Sequence, residues 1–142
     1  MNKTDTSHIA FVPKGDSMWP FLKNKKQTVI IDKDYKDILE YDVILYSRAN
    51  GDKILHRVIK VTEDKLICSG DSQFVLEQVN FSQVEGVMVG FYKKDKYQQV
   101  DQSYREKARN FYKNPNKRKR KIKRVFFVKK VLSKIKRFIK GK

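Results

Sequence analysis

Three short islands hold residues whose types and order suit acyl transfer: Gly15-Asp16-Ser17-Met18-Trp19-Pro20, Leu55-His56-Arg57-Val58 and Cys68-Ser69-Gly70-Asp71. A serine hydroxyl is a poor nucleophile until a base takes its proton, and that base works best when a third group fixes it. Ser17, His56 (one of only two histidines) and Asp71 supply one candidate for each part. Gly15 permits a tight backbone turn and Pro20 stiffens the chain just beyond the serine. Such a turn presents Oγ, and the backbone N–H of Ser17 is placed to serve an oxyanion hole. Met18, Trp19 and Pro20 are the candidate substrate-binding residues, with Met18, Trp19 and Phe21 either anchoring the turn in apolar surface or walling a groove. The plainer alternative is that Asp16 or Ser17 only stabilises a turn.

His56 sits inside the apolar run Ile54-Leu55-His56-Arg57-Val58-Ile59. Alternation on a strand puts Ile54, His56 and Val58 on one face and Leu55, Arg57 and Ile59 on the other. A half-buried imidazole is suited to accept the serine proton, or else it is a structural histidine bonded inside a small core. Arg57 is expected to pair with a carboxylate or a carbonyl on the opposite face. Asp71, after Gly70, either accepts a hydrogen bond from the histidine or caps the next turn.

The elements that must position these residues read as β structure. Gln27–Asp32, Asp42–Ser47, Lys53–Val61, Lys65–Ser69 and Val84–Tyr92 are short runs rich in Val, Ile, Leu and Tyr. Ala49-Asn50-Gly51-Asp52 and Glu63-Asp64 supply turns. Lys53–Val61 and Lys65–Ser69 form an expected hairpin, with His56 on one strand and Asp71 just past the end of its partner. Phe74–Asn80 reads as a weak helical or irregular connection. Short connections throughout predict a mainly β, small coiled barrel-like domain over residues 11–92, after a polar arm at 1–10.

Charge divides the chain. Residues 1–92 hold 12 Lys and Arg against 13 Asp and Glu, whereas residues 93–142 hold 21 basic and 3 acidic residues. The overall +17 therefore belongs to the tail and says little about the body. Residues 93–121 read as a basic linker containing a short helix over Asp101–Tyr112, broken at Asn114-Pro115-Asn116. Residues 122–140 read as a basic amphipathic helix: Phe127, Leu132, Ile135 and Phe138 share an apolar face, and Lys130, Lys134 and Arg137 are among the basic side chains that cluster opposite it. These seven are the candidate membrane-binding residues. Cys68 is the only cysteine, which excludes an internal disulfide and a thiolate metal cluster, and no metal or cofactor is called for. The polar start carries no hydrophobic run, so a cytoplasmic protein, peripheral at the inner face of the membrane, is expected.

The three islands in this order resemble the S24/S26 superfamily of serine peptidases, which includes type I signal peptidases and LexA-like repressor domains. The resemblance spans about Phe11 to Tyr92. Ser17-Met18-Trp19-Pro20 is similar to the nucleophile box, and Tyr41-Asp42-Val43-Ile44 to the family's Gly-Asp-Val-Val strand. His56-Arg57-Val58 matches the branch that uses histidine as base, and Gly70-Asp71 its Gly-Asp box, whose aspartate is thought to support the histidine. The resemblance implies a serine endopeptidase that processes a leader- or signal-peptide-like precursor through Ser17, His56 and Asp71. The sequence departs from the pattern in having Gly15 where bacterial enzymes often carry an assisting serine, and Ser72-Gln73 after the Gly-Asp box. The expected partners are a peptide or precursor protein and an anionic membrane surface or partner helix. The competing readings are a non-catalytic or regulatory module of the same fold, and a tail that binds nucleic acid through phosphate contacts.

Overall fold

Apolar residues alternate along the strands of the body, and the two sets they define pack on opposite faces of one antiparallel sheet. The computed structural model describes residues 7–23 and 27–141. The strands are β1 (His8–Phe11), β2 (Val29–Asp32), β3 (Val43–Ser47), β4 (Lys53–Val61), β5 (Lys65–Ser69), β6 (Glu77–Asn80), β7 (Val84–Lys93) and β8 (Lys96–Gln99). Two helices follow, α1 (Gln102–Lys113) and α2 (Pro115–Lys140). The sheet runs β1-β2-β7-β3-β4-β5-β6, with β8 paired to β7 beyond the end of β3.

On one face Met18, Leu22, Val29, Ile31, Val43, Leu45, Leu55, Met88 and Phe91 form a core, with Tyr104 of α1 packed against it. On the other, Ile44, Tyr46, Val58, Leu66, Cys68, Val79 and Val87 form a second. Every residue of β3 from Val43 to Tyr46 is buried because both faces of the strand are covered.

The barrel-like expectation is corrected here: the eight-stranded sheet stays open, with β1 and β6 as unjoined edges. β4 and β5 form the expected hairpin, from Arg57 opposite Ser69 to Val61 opposite Leu66, with a bulge between Val58 and Lys60. Three strands differ from expectation. β1 lies mostly in the supposed N-terminal arm, β6 replaces the end of the supposed irregular connection, and β8 extends the sheet past Tyr92. Each is only four residues long, and β6 and β8 are largely polar, so pairing with a neighbour creates them, not their own pattern.

The chain divides into two compact units, Met1–Ala108 and Arg109–Lys142. The first reaches beyond residue 92 because β8 and the start of α1 complete it. In the second, the chain breaks between α1 and α2 at Asn114, within the break expected at Asn114-Pro115-Asn116, but the helix expected from residue 122 already starts at Pro115. Asn114 caps it by accepting a hydrogen bond from the Lys117 amide, and Pro115 occupies the first helical turn, where a missing N–H costs nothing. The basic run Lys117–Lys121 is thereby helical. Arg118 stacks on Tyr112, 4.4 Å from the ring centre.

Candidate active site

Ser17 lies in the connection between β1 and β2, on a turn held by its own backbone. Trp19 N–H donates to the Asp16 carbonyl at 3.1 Å, and Leu22 N–H to the Met18 carbonyl at 2.8 Å. Met18 and Leu22 sink into the core beneath. Gly15 adopts φ +87°, and an added Cβ there meets nothing within 4 Å, so the glycine serves the backbone angle and not a tight approach. The Trp19–Pro20 bond is cis.

The segment after β5 grips this turn. Ser72 N–H donates to the Ser17 carbonyl at 2.9 Å, and Ser72 Oγ donates to the Asp16 carbonyl at 2.7 Å. A Cβ at Gly70 would stand 2.7 Å from the Ser17 carbonyl oxygen and 3.0 Å from Ser17 Cβ. Gly70 is thus the contact surface on which the serine rests, and Ser72 is its clamp.

Asp71 is placed elsewhere than expected. Arg57 Nε donates to its Oδ1 at 3.1 Å and Arg57 Nη2 to its Oδ2 at 2.7 Å, with both side chains fully buried. Arg57 Nη1 also donates to the Tyr41 carbonyl at 2.9 Å, and its guanidinium lies against the rings of Phe21 and Tyr104, at 4.8 and 5.1 Å from their centres. The pairing expected for Arg57 is therefore present with both a carboxylate and a carbonyl. Because β4 alternates, an aspartate that forks onto Arg57 is on the other side of the strand from the imidazole. No hydrogen bond joins Asp71 to His56. The Gly-Asp box here rests Gly70 against the turn of Ser17, and Asp71 acts on His56 only through its charge.

His56 belongs to the second face, 6 % exposed, paired across the ladder with Ile44. Its Nδ1 stands 3.3 Å from Tyr46 Oη. Tyr46 Oη donates to Glu77 Oε2 at 2.5 Å, and Glu77 in turn accepts from Arg48 Nε and Nη2, both at 2.9 Å. Burial lowers the imidazole below its ordinary 6.5, a pull that Arg48 assists and Glu77 and Asp71 oppose. The hydrogen bond from Arg48 pulls the Glu77 carboxyl down, so it is ionised at neutral pH. Burial pushes the Cys68 thiol up to about 12, which leaves it without nucleophilic character.

Ser17 and His56 both line a cleft of about 530 Å³. Its walls are Phe11–Gly15 on one side and Lys53–His56 on the other, with Arg48 and Gln73 at its borders. Among the described residues no hydrogen bond links Ser17 Oγ to the imidazole. β4 meets β3 from Lys53 to Arg57 but meets β5 only from Arg57 onward, so Lys53–His56 offer a ladder edge that faces no strand. Of the expected substrate residues, Met18 borders this cleft. Pro20 borders a different cavity of about 360 Å³, and Trp19 lies under the Lys23 ammonium at 5.5 Å.

In the second unit Phe127, Leu132, Ile135 and Phe138 are exposed, Phe127 and Phe138 to 67 and 68 %. Lys130, Lys134 and Arg137 are also exposed. No described helix is long and apolar enough to cross a membrane, and no described group of His, Cys, Asp and Glu is arranged to hold a metal ion.

No family model, curated protein or solved structure matches the chain. The residues in contact with the candidate site that sequence reasoning does not single out are Tyr46, Glu77, Arg48 and Ser72. Tyr46 carried a usable signal: a tyrosine in a strand buried on both faces needs a partner for its hydroxyl. Glu77 carried none, because only the β5–β6 pairing brings it there.

Proposed function

We propose that the chain is a serine endopeptidase of the signal-peptidase and LexA type, cleaving a peptide or precursor protein. The observation that carries this is the cleft shared by Ser17 on its clamped turn and His56 with Nδ1 already engaged. An extended peptide added along the free edge of Lys53–His56 runs past Ser17. Ser17 Oγ attacks the carbonyl carbon while His56 Nε2 takes the hydroxyl proton. The Ser17 N–H stabilises the oxyanion of the tetrahedral intermediate. As the C–N bond breaks, His56 gives its proton to the leaving amine, and an acyl-serine remains. Water then attacks that ester, losing a proton to His56, and the acid product and free serine are regenerated.

The tail is proposed to dock on an anionic lipid surface. Its exposed apolar side chains lie among lysines and arginines, a combination that nucleic-acid binding does not require. Each of those charges at mid-bilayer would cost about 2.5–3.5 kcal/mol, so the helix lies on the surface and does not cross it.

The test is cleavage of a mixed peptide library, read by mass spectrometry, with full-length protein on anionic vesicles. Ser17→Ala and His56→Ala are expected to lose cleavage to background, with unchanged circular dichroism. Undiminished cleavage by folded Ser17→Ala overturns the assignment of the nucleophile.

A further inference from the structure

We propose that Tyr46 and Glu77, braced by Arg48, are positioning residues that fix the tautomer of His56 and stabilise its protonated form, the part that a serine site usually gives to an aspartate. This rests on the peptidase reading for its purpose, but its geometry stands alone. The hydroxyl of Tyr46 has a single proton. Glu77, ionised and held through both oxygens by Arg48, can only accept from it. The Tyr46 proton is therefore committed to Glu77, and what Tyr46 turns toward His56 at 3.3 Å is a lone pair. Nδ1 must then carry the hydrogen, and Nε2 keeps the lone pair that a general base needs. The reverse arrangement, with Tyr46 donating to Nδ1, would set the phenol oxygen against a carboxylate oxygen with no proton between them.

The arrangement is built from separate elements. Tyr46 is fully buried on β3, two residues along from Ile44, which lies opposite His56, and its ring stands edge-on to the imidazole, at 67° and 6.1 Å between centres. Glu77 opens β6, opposite Cys68 of β5, and Arg48 follows β3 directly. Burial and the neighbouring carboxylate hold the phenol well above its ordinary range, so it keeps its proton while the histidine cycles. When Nε2 takes the proton of Ser17, the positive imidazole faces the negative end of a dipole anchored on Glu77. No second proton transfer is needed. Asp71 is engaged by Arg57 through both its oxygens and makes no hydrogen bond to His56.

The charged groups acting on His56 are Glu77, Arg48 and Asp71. Glu77 and Arg48 act with opposite sign, which gives the test its discrimination. Nitrogen NMR of ¹⁵N-histidine-labelled full-length protein carrying His8→Gln leaves a single imidazole to follow. Its Nδ1 is expected to be protonated and its Nε2 bare at neutral pH. Glu77→Gln is expected to lower the midpoint of the His56 titration and Arg48→Gln to raise it. Tyr46→Phe is expected to lose the tautomer preference and to reduce kcat by about tenfold or more, up to the roughly 10⁴-fold that a wrong tautomer costs in a serine triad. Should Tyr46→Phe fail to fold, the partly exposed Glu77 and Arg48 still carry the sign test. A wild-type imidazole protonated on Nε2, or midpoints that move in the same direction in both charge variants, overturns the inference. Because the spectra need no substrate, a result of this kind leaves the Ser17 assignment to its own experiment, and failure of that assignment leaves the tautomer measurement standing.

Discussion

At the scale of single residues, Arg57 and Asp71 form an ion pair that water does not reach, and its worth lies in what happens when it is broken. Asp71→Asn leaves a buried guanidinium without its counter-charge, expected to destabilise the fold by about 3–5 kcal/mol in urea unfolding. His56, by contrast, makes stability depend on pH. Its folded pKa lies below the ordinary 6.5 because burial disfavours the cation, so below that value the unfolded chain binds a proton that the folded chain refuses. The stability due to the neutral imidazole is complete above pH 6.5 and declines as pH falls from there toward the folded pKa. Unfolding of wild type and His56→Gln between pH 7 and 5 is expected to diverge in that window, by at most about 1.4 kcal/mol per pH unit. A wild-type curve parallel to that of His56→Gln removes the group from the account. Ser17 and His56 stand out as candidates in the sequence because unusual side chains in short islands carry their own chemistry, and both line one cleft. The hydrogen bond expected between Asp71 and His56 is replaced by the pair with Arg57, since sequence order cannot say on which face of a hairpin a carboxylate lands.

Among the elements, β4 and β5 were readable to the residue because their runs of Val, Ile and Leu are bounded by the turn residues Ala49-Asn50-Gly51-Asp52 and Glu63-Asp64. β6 was not: Glu77-Gln78-Val79-Asn80 has one apolar residue, and Val79 is buried only because β5 lies alongside it. Asn114-Pro115 reads as a break in the tail, yet a capping asparagine and a proline in the first turn are also how a helix begins. The loop after β5 offers the sharpest test at this level. Gly70→Ala forces a methyl against the Ser17 backbone, and backbone gives way less readily than a side chain. A loss of about 1–3 kcal/mol is expected, together with a fall in kcat out of proportion to it, because the strain falls on the nucleophile turn. Wild-type turnover in Gly70→Ala would show that the turn tolerates displacement.

For the molecule as a whole, a nearly neutral body is joined to a tail whose residues from 93 onward carry a net +18. Replacing Leu132, Ile135 and Phe138 by Ser in the full-length chain leaves every charge in place and removes apolar burial. Sedimentation with anionic vesicles is expected to fall more than tenfold, with the residue abolished by high salt. Binding unchanged by the substitutions would assign the attraction to charge alone. The order of the sheet has a consequence for how the protein is made. β1 and β2 form one ladder, β3 to β6 another, and β7 alone joins them. Ser17 belongs to the first and His56 to the second. A nascent chain on the ribosome therefore lacks the sheet that spans both ladders until Val84–Lys93 has been synthesised and released, and until then the grip of Ser72 on the Ser17 turn is the contact left to bring the two halves of the proposed cleft together.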